Sequence, residues 1–372
     1  MKKILITQSD LTIGGIQKSL INLLNQLDYT KYKVDLVLFE KKGELLNEVP
    51  SEVNIISIKE KYNLTLSKKE RILKEVFSYK SFFNKLYKNL KDETRYDVAI
   101  AFDGYVSFSD YYAAFSNAAK KVIWVHSDFY SRKKFQFKFK IKLFSLKDKY
   151  QYFDQIVAVS NSAQEGFIKV FPKNKEKTTY IWNFMEAPKK DFLIEEPDII
   201  FNKDYFNIIS IGALLPVKGY ERLIKVQTKL NKNGFNTKMY ILGDGQQRKK
   251  LEKLIKKNNL EDSFILLGRR KDVYPILKQA DLFVSSSYYE GFGVVLLESL
   301  SLGVPILVPR ISGVSDIAKY IAPENSAKIV ENSVEGLYDG IIEYINESKK
   351  TFKFDLNDYN RKVLNEIEKI LN

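Results

Sequence analysis

Short apolar runs closed off by turn-forming residues alternate along this chain with longer stretches whose apolar positions recur every three or four residues. The first pattern predicts strands covered on both faces and the second predicts the helices that cover them. One series of strands is expected at Lys3–Thr7, Lys33–Phe39, Val53–Ile58, Asp97–Phe102, Lys121–Val125 and Gln155–Val159. A second is expected at Phe206–Ile211, Lys238–Leu242, Phe264–Leu267, Leu282–Ser285 and Pro305–Val308. Two such series predict two doubly wound, Rossmann-like α/β domains.

The stretch from Asn183 to Lys190, followed by an acidic, Pro-containing run to Asp198, reads as the linker between them. The expected boundaries are residues 1–186, 187–350 and a terminal segment 351–372. In the last, Val363, Leu364, Ile367, Ile370 and Leu371 lie on one face of an amphipathic helix. A length of 372 residues fits two domains at roughly 100 to 200 residues each. No run approaches the ~18 apolar residues that a membrane span requires, and the opening Met1–Thr7 reads as a strand rather than a secretory leader. A cytoplasmic protein is expected.

The chain has no cysteine and one histidine, His126. Disulfide scaffolds, thiol nucleophiles, cysteine-bound clusters and multi-histidine metal sites are thereby excluded. Its net charge of +14 is unevenly spread. Residues 1–150 hold 28 basic and 17 acidic side chains and the remainder 32 and 29, so the excess lies in the first half. Such a surface suits an anionic partner: nucleic acid, an acidic lipid surface or a phosphorylated substrate.

The sequence lacks a G-x-x-x-x-G-K-[ST] loop, a G-x-G-x-x-G fingerprint, a G-x-S-x-G elbow and an Asp-x-Asp pair that would hold a divalent ion on a diphosphate. The richest segment runs from Ala280 to Pro309. A strand ends near Ser286, the turn Glu290-Gly291-Phe292-Gly293 follows, and a helix opens at about Gly293. Amides of a glycine turn approach a ligand closely, and the start of a helix favours an anion. Glu298 falls a turn and a half into that helix, where a carboxylate offers two acceptors to the vicinal hydroxyls of a sugar or ribose.

That segment resembles the E-x7-E motif of the family 4 glycosyltransferases, with Glu290 and Glu298 at its two positions. The resemblance covers most of the chain. Gly14-Gly15 is similar to the family's N-terminal glycine loop, Asn183 to its interdomain segment, and Ile211–Gly219 to the opening of its nucleotide domain. Leu242-Gly243-Asp244-Gly245 and Leu267-Gly268-Arg269 match two later landmarks. The resemblance implies the GT-B fold, two Rossmann-like domains facing a cleft, with the C-terminal helix returning to the N-terminal domain. It implies retention of anomeric configuration and a nucleotide-sugar donor, in the first instance a UDP-sugar.

The family's site residues carry over position by position. Glu298 matches the residue that binds the ribose hydroxyls, and Glu290 the one against the donor sugar. The turn Gly291-Phe292-Gly293 faces sugar and diphosphate, and Lys218 matches the diphosphate lysine, which makes a metal or other cofactor unnecessary. Gly15, Gly212, Gly243 and Arg269 complete the expected donor site. His126, at the carboxyl end of an apolar strand, matches a histidine facing donor sugar and acceptor.

Two positions depart from the family pattern. Ala213 stands where an arginine usually precedes the diphosphate lysine, and an alanine offers no forked contact to phosphate. Either Arg269 or Arg270 compensates, or donor binding is weakened. Gln17 replaces a frequent glutamate after the glycine loop.

From Arg132 to Lys149 eight basic residues and one acidic interleave with aromatic and aliphatic ones. Strict alternation from Lys134 to Leu143 favours a strand by period, whereas the family has helix there. Lys133, Lys134, Phe137, Lys138, Lys140 and Lys142 form a candidate patch for an anionic membrane. A lysine-guarded edge strand and a nucleic-acid surface are the competing readings.

The expectation is thus a retaining, metal-independent glycosyltransferase at the inner membrane surface. Its acceptor would be a saccharide, expected to be lipid-linked, of a cell-surface polysaccharide pathway, with nucleic acid set aside. A non-catalytic partner subunit and a GT-B epimerase or phosphorylase are the alternatives.

Overall fold

Runs rich in Val, Ile and Leu form strands whose two faces are both covered, and every pairing between them is parallel. The computed structural model describes residues 1–61, 94–104, 108–146, 149–186, 199–270, 272–347 and 351–372, without the side chains of Phe108, Lys138, Ile141, Lys142, Phe144 and Ser145. It divides into two units, Met1–Phe184 with Arg361–Asn372, and Met185–Asn360. The terminal segment therefore does not travel whole with the first unit, since residues 351–360 belong to the second.

The first unit holds β1 (Lys2–Gln8), β2 (Tyr32–Leu38), β3 (Asn54–Ser57), β4 (Arg95–Ala101), β5 (Asn117–Val125), β6 (Gln155–Ala158) and β7 (Thr178–Tyr180) in the order β3-β2-β1-β4-β5-β6-β7. Its described helices are α1 (Gly15–Gln26), α2 (Ile58–Lys61), α3 (Phe108–Phe115), α4 (Phe129–Phe135), α5 (Phe137–Leu146) and α6 (Asn161–Val170). The second unit holds β8 (Phe206–Ile211), β9 (Thr237–Leu242), β10 (Phe264–Gly268), β11 (Leu282–Val284), β12 (Ile306–Pro309) and β13 (Ala327–Val330) in the order β10-β9-β8-β11-β12-β13. Its helices are α7 (Tyr220–Lys232), α8 (Arg248–Lys257), α9 (Tyr274–Leu277), α10 (Val294–Ser301), α11 (Val314–Tyr320) and α12 (Val334–Asn346). The last helix, α13 (Leu356–Leu371), passes from the second unit into the first.

In each sheet the winding reverses once, between β1 and β4 and between β8 and β11. The carboxyl ends of the strands at such a reversal open a crevice, which is where α/β sheets take their ligands. In the second sheet this relation positions Lys218 and Glu290, on the turns after β8 and β11.

All eleven strands expected from the sequence form. Two short ones, β7 and β13, were not anticipated, and β5 starts earlier, at Asn117. The alternation from Lys134 to Leu143 does not make a strand: residues there fold as α4 and α5. The physical reason is a second spacing in the same letters, since Phe139, Leu143 and Leu146 recur at i, i+4 and i+7 and all three are buried. The expected linker segment 187–198 lies outside the described residues.

Candidate functional site

In the second unit β8 ends at Ile211 and the chain turns through Gly212 and Ala213 into Leu214, whose amide bonds the Asp244 carbonyl at 3.0 Å. The Gly212 amide bonds the Leu242 carbonyl at 2.9 Å, and that of Gly243 the Gly268 carbonyl at 2.8 Å. The turns after β8, β9 and β10 are thus stitched edge to edge. Gly243 has φ +143°, and a methyl there would collide with the Gly212 carbonyl, so close approach demands glycine. Gly212, Gly243 and Arg269 are brought together in this row, with Arg269 exposed. Ala213 is exposed in the first turn and supplies no charge.

Across the reversal, the turn after β11 carries the other residues. The Lys218 ammonium lies 2.6 Å from the Glu290 carboxylate, with each side chain about a quarter exposed. Ser287 Oγ donates to the same Glu290 oxygen at 3.3 Å, Ser286 Oγ to the Lys218 carbonyl at 2.7 Å, and the Tyr288 amide to the Val217 carbonyl at 2.8 Å. The turn after β8 and the turn after β11 are therefore one bonded structure. Arg222 on α7, buried, tightens it by bonding the Ser286 carbonyl at 3.2 Å while holding Asn332 and Ser333 before α12.

Gly291, Phe292 and Gly293 lead into α10, with Gly293 as its N-cap and no side chain capping it. Phe292 is buried, and Glu298 sits on the buried side of the same helix, only 8% exposed. The hydroxyl of Tyr274, on α9, reaches the Glu298 carboxylate at 3.4 Å. Burial, and then the neighbouring Glu298 charge, push that hydroxyl well above the ordinary tyrosine range, so it stays a proton donor. Tyr220 likewise donates to the Gly212 carbonyl at 3.1 Å. Neither tyrosine was singled out by sequence. Tyr220 directly follows Lys218-Gly219, a usable signal, whereas nothing in the spacing of Tyr274 relates it to Glu298.

In the first unit Gly15 opens α1, whose N-terminus has neither a capping side chain nor an acidic residue in its first turn. A methyl at Gly15 would meet nothing among the described residues. His126 follows β5, half-buried, its ring 4.8 Å from that of Phe102 and its Nε2 2.6 Å from the Phe102 carbonyl. A carbonyl only accepts, so Nε2 carries the hydrogen and Nδ1 keeps a lone pair. Loss of water around the ring outweighs that bond and the Asp110 charge and brings its pKa down to about 4, so at neutral pH the ring is uncharged.

Of the basic stretch, Lys133, Lys134 and Lys140 are exposed, as are Phe135 at 47% and Phe137 at 74%. The side chains of Lys138 and Lys142 lie outside the described residues. Among the described residues no three His, Cys, Asp or Glu side chains converge as metal ligands would, and no helix is long and apolar enough to cross a membrane.

The family described as Glycosyltransferase Family 4 matches residues 13–187, and Glycosyl transferases group 1 matches residues 192–361. An uncharacterized glycosyltransferase of Methanocaldococcus jannaschii is 34% identical over 52% of this chain and 48% of its own. Another, of Haemophilus influenzae, is 24% identical over 90% of this chain and 87% of its own. Across the first three curated relatives the matched region spans 48%, 54% and 61% of their length. Among solved structures, Anabaena HepE in complex with UDP and glucose covers 99% of this chain and 100% of its own at TM-score 0.71 and 17% identity. The fold is that of the GT-B glycosyltransferases. The chain is family 4-like: its first half matches the one glycosyltransferase family and its second half the other, in order.

Proposed function

We propose that this chain transfers a sugar from a nucleoside diphosphate sugar, in the first instance a UDP-sugar, to a saccharide acceptor. The observation that carries the reading is the arrangement at the reversal in the second sheet. One cation, Lys218, and two carboxylates, Glu290 and Glu298, flank a glycine turn that opens a helix. Glu298 suits the ribose hydroxyls, the turn amides suit the diphosphate, and Lys218 suits the charge that grows on the leaving phosphate. HepE, which shares the fold, was crystallised with UDP and glucose.

In the reaction the bond from the anomeric carbon to the phosphate oxygen breaks and one to the acceptor oxygen forms. The acceptor hydroxyl proton passes to the departing phosphate, and UDP leaves. Retention of configuration by front-face displacement, independence of metal and a lipid-linked acceptor rest on the family resemblance. Exposed Phe135 and Phe137 among Lys133, Lys134 and Lys140 support peripheral attachment to an anionic membrane, at ~1 kcal/mol per lysine near the surface.

The test is UDP release from a panel of UDP-sugars with and without saccharide acceptors, beside calorimetric binding of UDP. Acceptor-dependent release supports the reading, and absence of UDP binding overturns it. Ala213 favours a second reading, a subunit without catalysis, which that second outcome would select. Flotation on vesicles with and without phosphatidylglycerol tests attachment; lipid-independent behaviour removes it.

A further inference from the structure

One ion pair in the first unit is wholly out of water. The Lys149 ammonium lies 2.6 Å from the Asp110 carboxylate, and both side chains are 0% exposed. Two desolvated charges confer little stability over an apolar pair of the same size, so the pair calls for another explanation. Its bonds supply one. The second oxygen of Asp110 accepts the Gly104 amide at 3.1 Å, and the Tyr150 hydroxyl, next to Lys149, reaches the Gly104 carbonyl at 3.5 Å. A methyl at Gly104 would collide with the Trp124 carbonyl, so the turn after β4 is pressed against β5 two residues before His126. Two residues before Gly104 is Phe102, whose carbonyl takes the imidazole N–H.

We propose that the Asp110–Lys149 pair is the positioning element of His126, anchoring the turn whose carbonyl holds the imidazole so that Nδ1 stays open as an acceptor. Asp110 alone would fix the turn, but its charge reaches the ring and favours the imidazolium. Lys149, 2.6 Å from that carboxylate, opposes its charge. The other ionisable groups on neighbouring described elements are already committed. Asp103 takes the Ser9 hydroxyl, Asp128 the amides of Tyr130 and Ser131, and Arg132 the Gln136 side chain and the Phe139 ring. The importance of His126 to transfer rests on the glycosyltransferase reading; its tautomer and titration do not.

His126 is the sole histidine, so its ring nitrogens give one unambiguous set of NMR signals. The wild type is expected to show the Nε2–H tautomer and a midpoint near 4. In folded Lys149→Met the tautomers should mix or the midpoint rise by about one unit or more, the size of effect a nearby unpaired carboxylate has. In Asp110→Asn/Lys149→Met, which keeps an acceptor for Gly104 without either charge, the wild-type signals should return. In turnover, Lys149→Met should lower kcat ~10- to 100-fold with donor KM little changed, as for a misplaced group. Wild-type tautomer and midpoint in folded Lys149→Met would overturn the proposal, as would a double variant as perturbed as the single one. A turnover failure with the expected spectra would count against the transfer reading alone.

Discussion

Lys218 and Glu290, 72 positions apart in sequence, meet at 2.6 Å on the two turns that flank the reversal of the second sheet. The cation is held by a neighbouring carboxylate, and the proposed reaction puts the leaving diphosphate beside it. Lys218→Ala should therefore lower kcat by ~100- to 1000-fold, the usual cost of removing one electrostatic contact to a developing anion. UDP-release kinetics at saturating donor measure it, and a variant with unaltered kcat would remove Lys218 from the chemistry.

Glu298 is expected to act through binding rather than turnover. A charge-assisted hydrogen bond contributes about 1.5–3 kcal/mol, so Glu298→Ala should weaken UDP by ~10- to 100-fold in calorimetry. Tyr274→Phe removes only the 3.4 Å bond that orients the carboxylate and should cost a few-fold. If Tyr274→Phe proves as damaging as Glu298→Ala, the tyrosine itself contacts the nucleotide.

The depressed pKa of His126 makes a prediction about stability. Its folded value of about 4 lies below the usual ~6.5 of an unfolded histidine. Between these values the unfolded chain binds the extra proton, so the contribution is complete above pH ~6.5 and is lost as pH falls toward 4. From pH 7 to 4 the wild type should lose about 3 kcal/mol more than His126→Asn, in urea unfolding at each pH. Parallel curves would contradict the burial of a neutral ring.

Gly243→Ala places a methyl against the Gly212 carbonyl at a backbone angle L-residues avoid. The conformational cost alone is ~1–2 kcal/mol, and the collision adds to it. A lowered melting temperature together with weaker UDP binding is expected, because the same carbonyl row shapes the candidate site. Unchanged melting would mean that the turn relaxes freely.

How far the sequence discloses this molecule depends on how local each feature is. The Val/Ile/Leu runs of β1, β2, β8 and β9 announce themselves because a strand covered on both faces must be apolar throughout. β7 and β13 are short and half-polar, and become strands only because β6 and β12 offer an edge. Two periods compete in Lys134–Leu143, and the aromatic packing around Phe129, Phe139 and Phe167 selects the helical one. That Glu290 falls on the turn and Glu298 on the helix it opens was legible from their spacing and the glycines between them. Tyr274, Asp110 and Lys149 were not, because each owes its place to a contact far along the chain.

The last helix joins residues that are far apart in time as well as in sequence. Its Val363, Ile367, Ile370 and Leu371 are buried, and the carbonyls of Ile370 and Leu371 receive the ammonium groups of Lys120 and Lys2 at 2.7 and 3.2 Å. The first unit is thus a discontinuous body, whereas the second is one unbroken segment, Met185–Asn360. The first unit is therefore made first but cannot be completed until the last stretch of chain has been made. The second unit closes on its own residues alone, whereas the unit made first keeps an apolar seat open until residues 361–372 reach it.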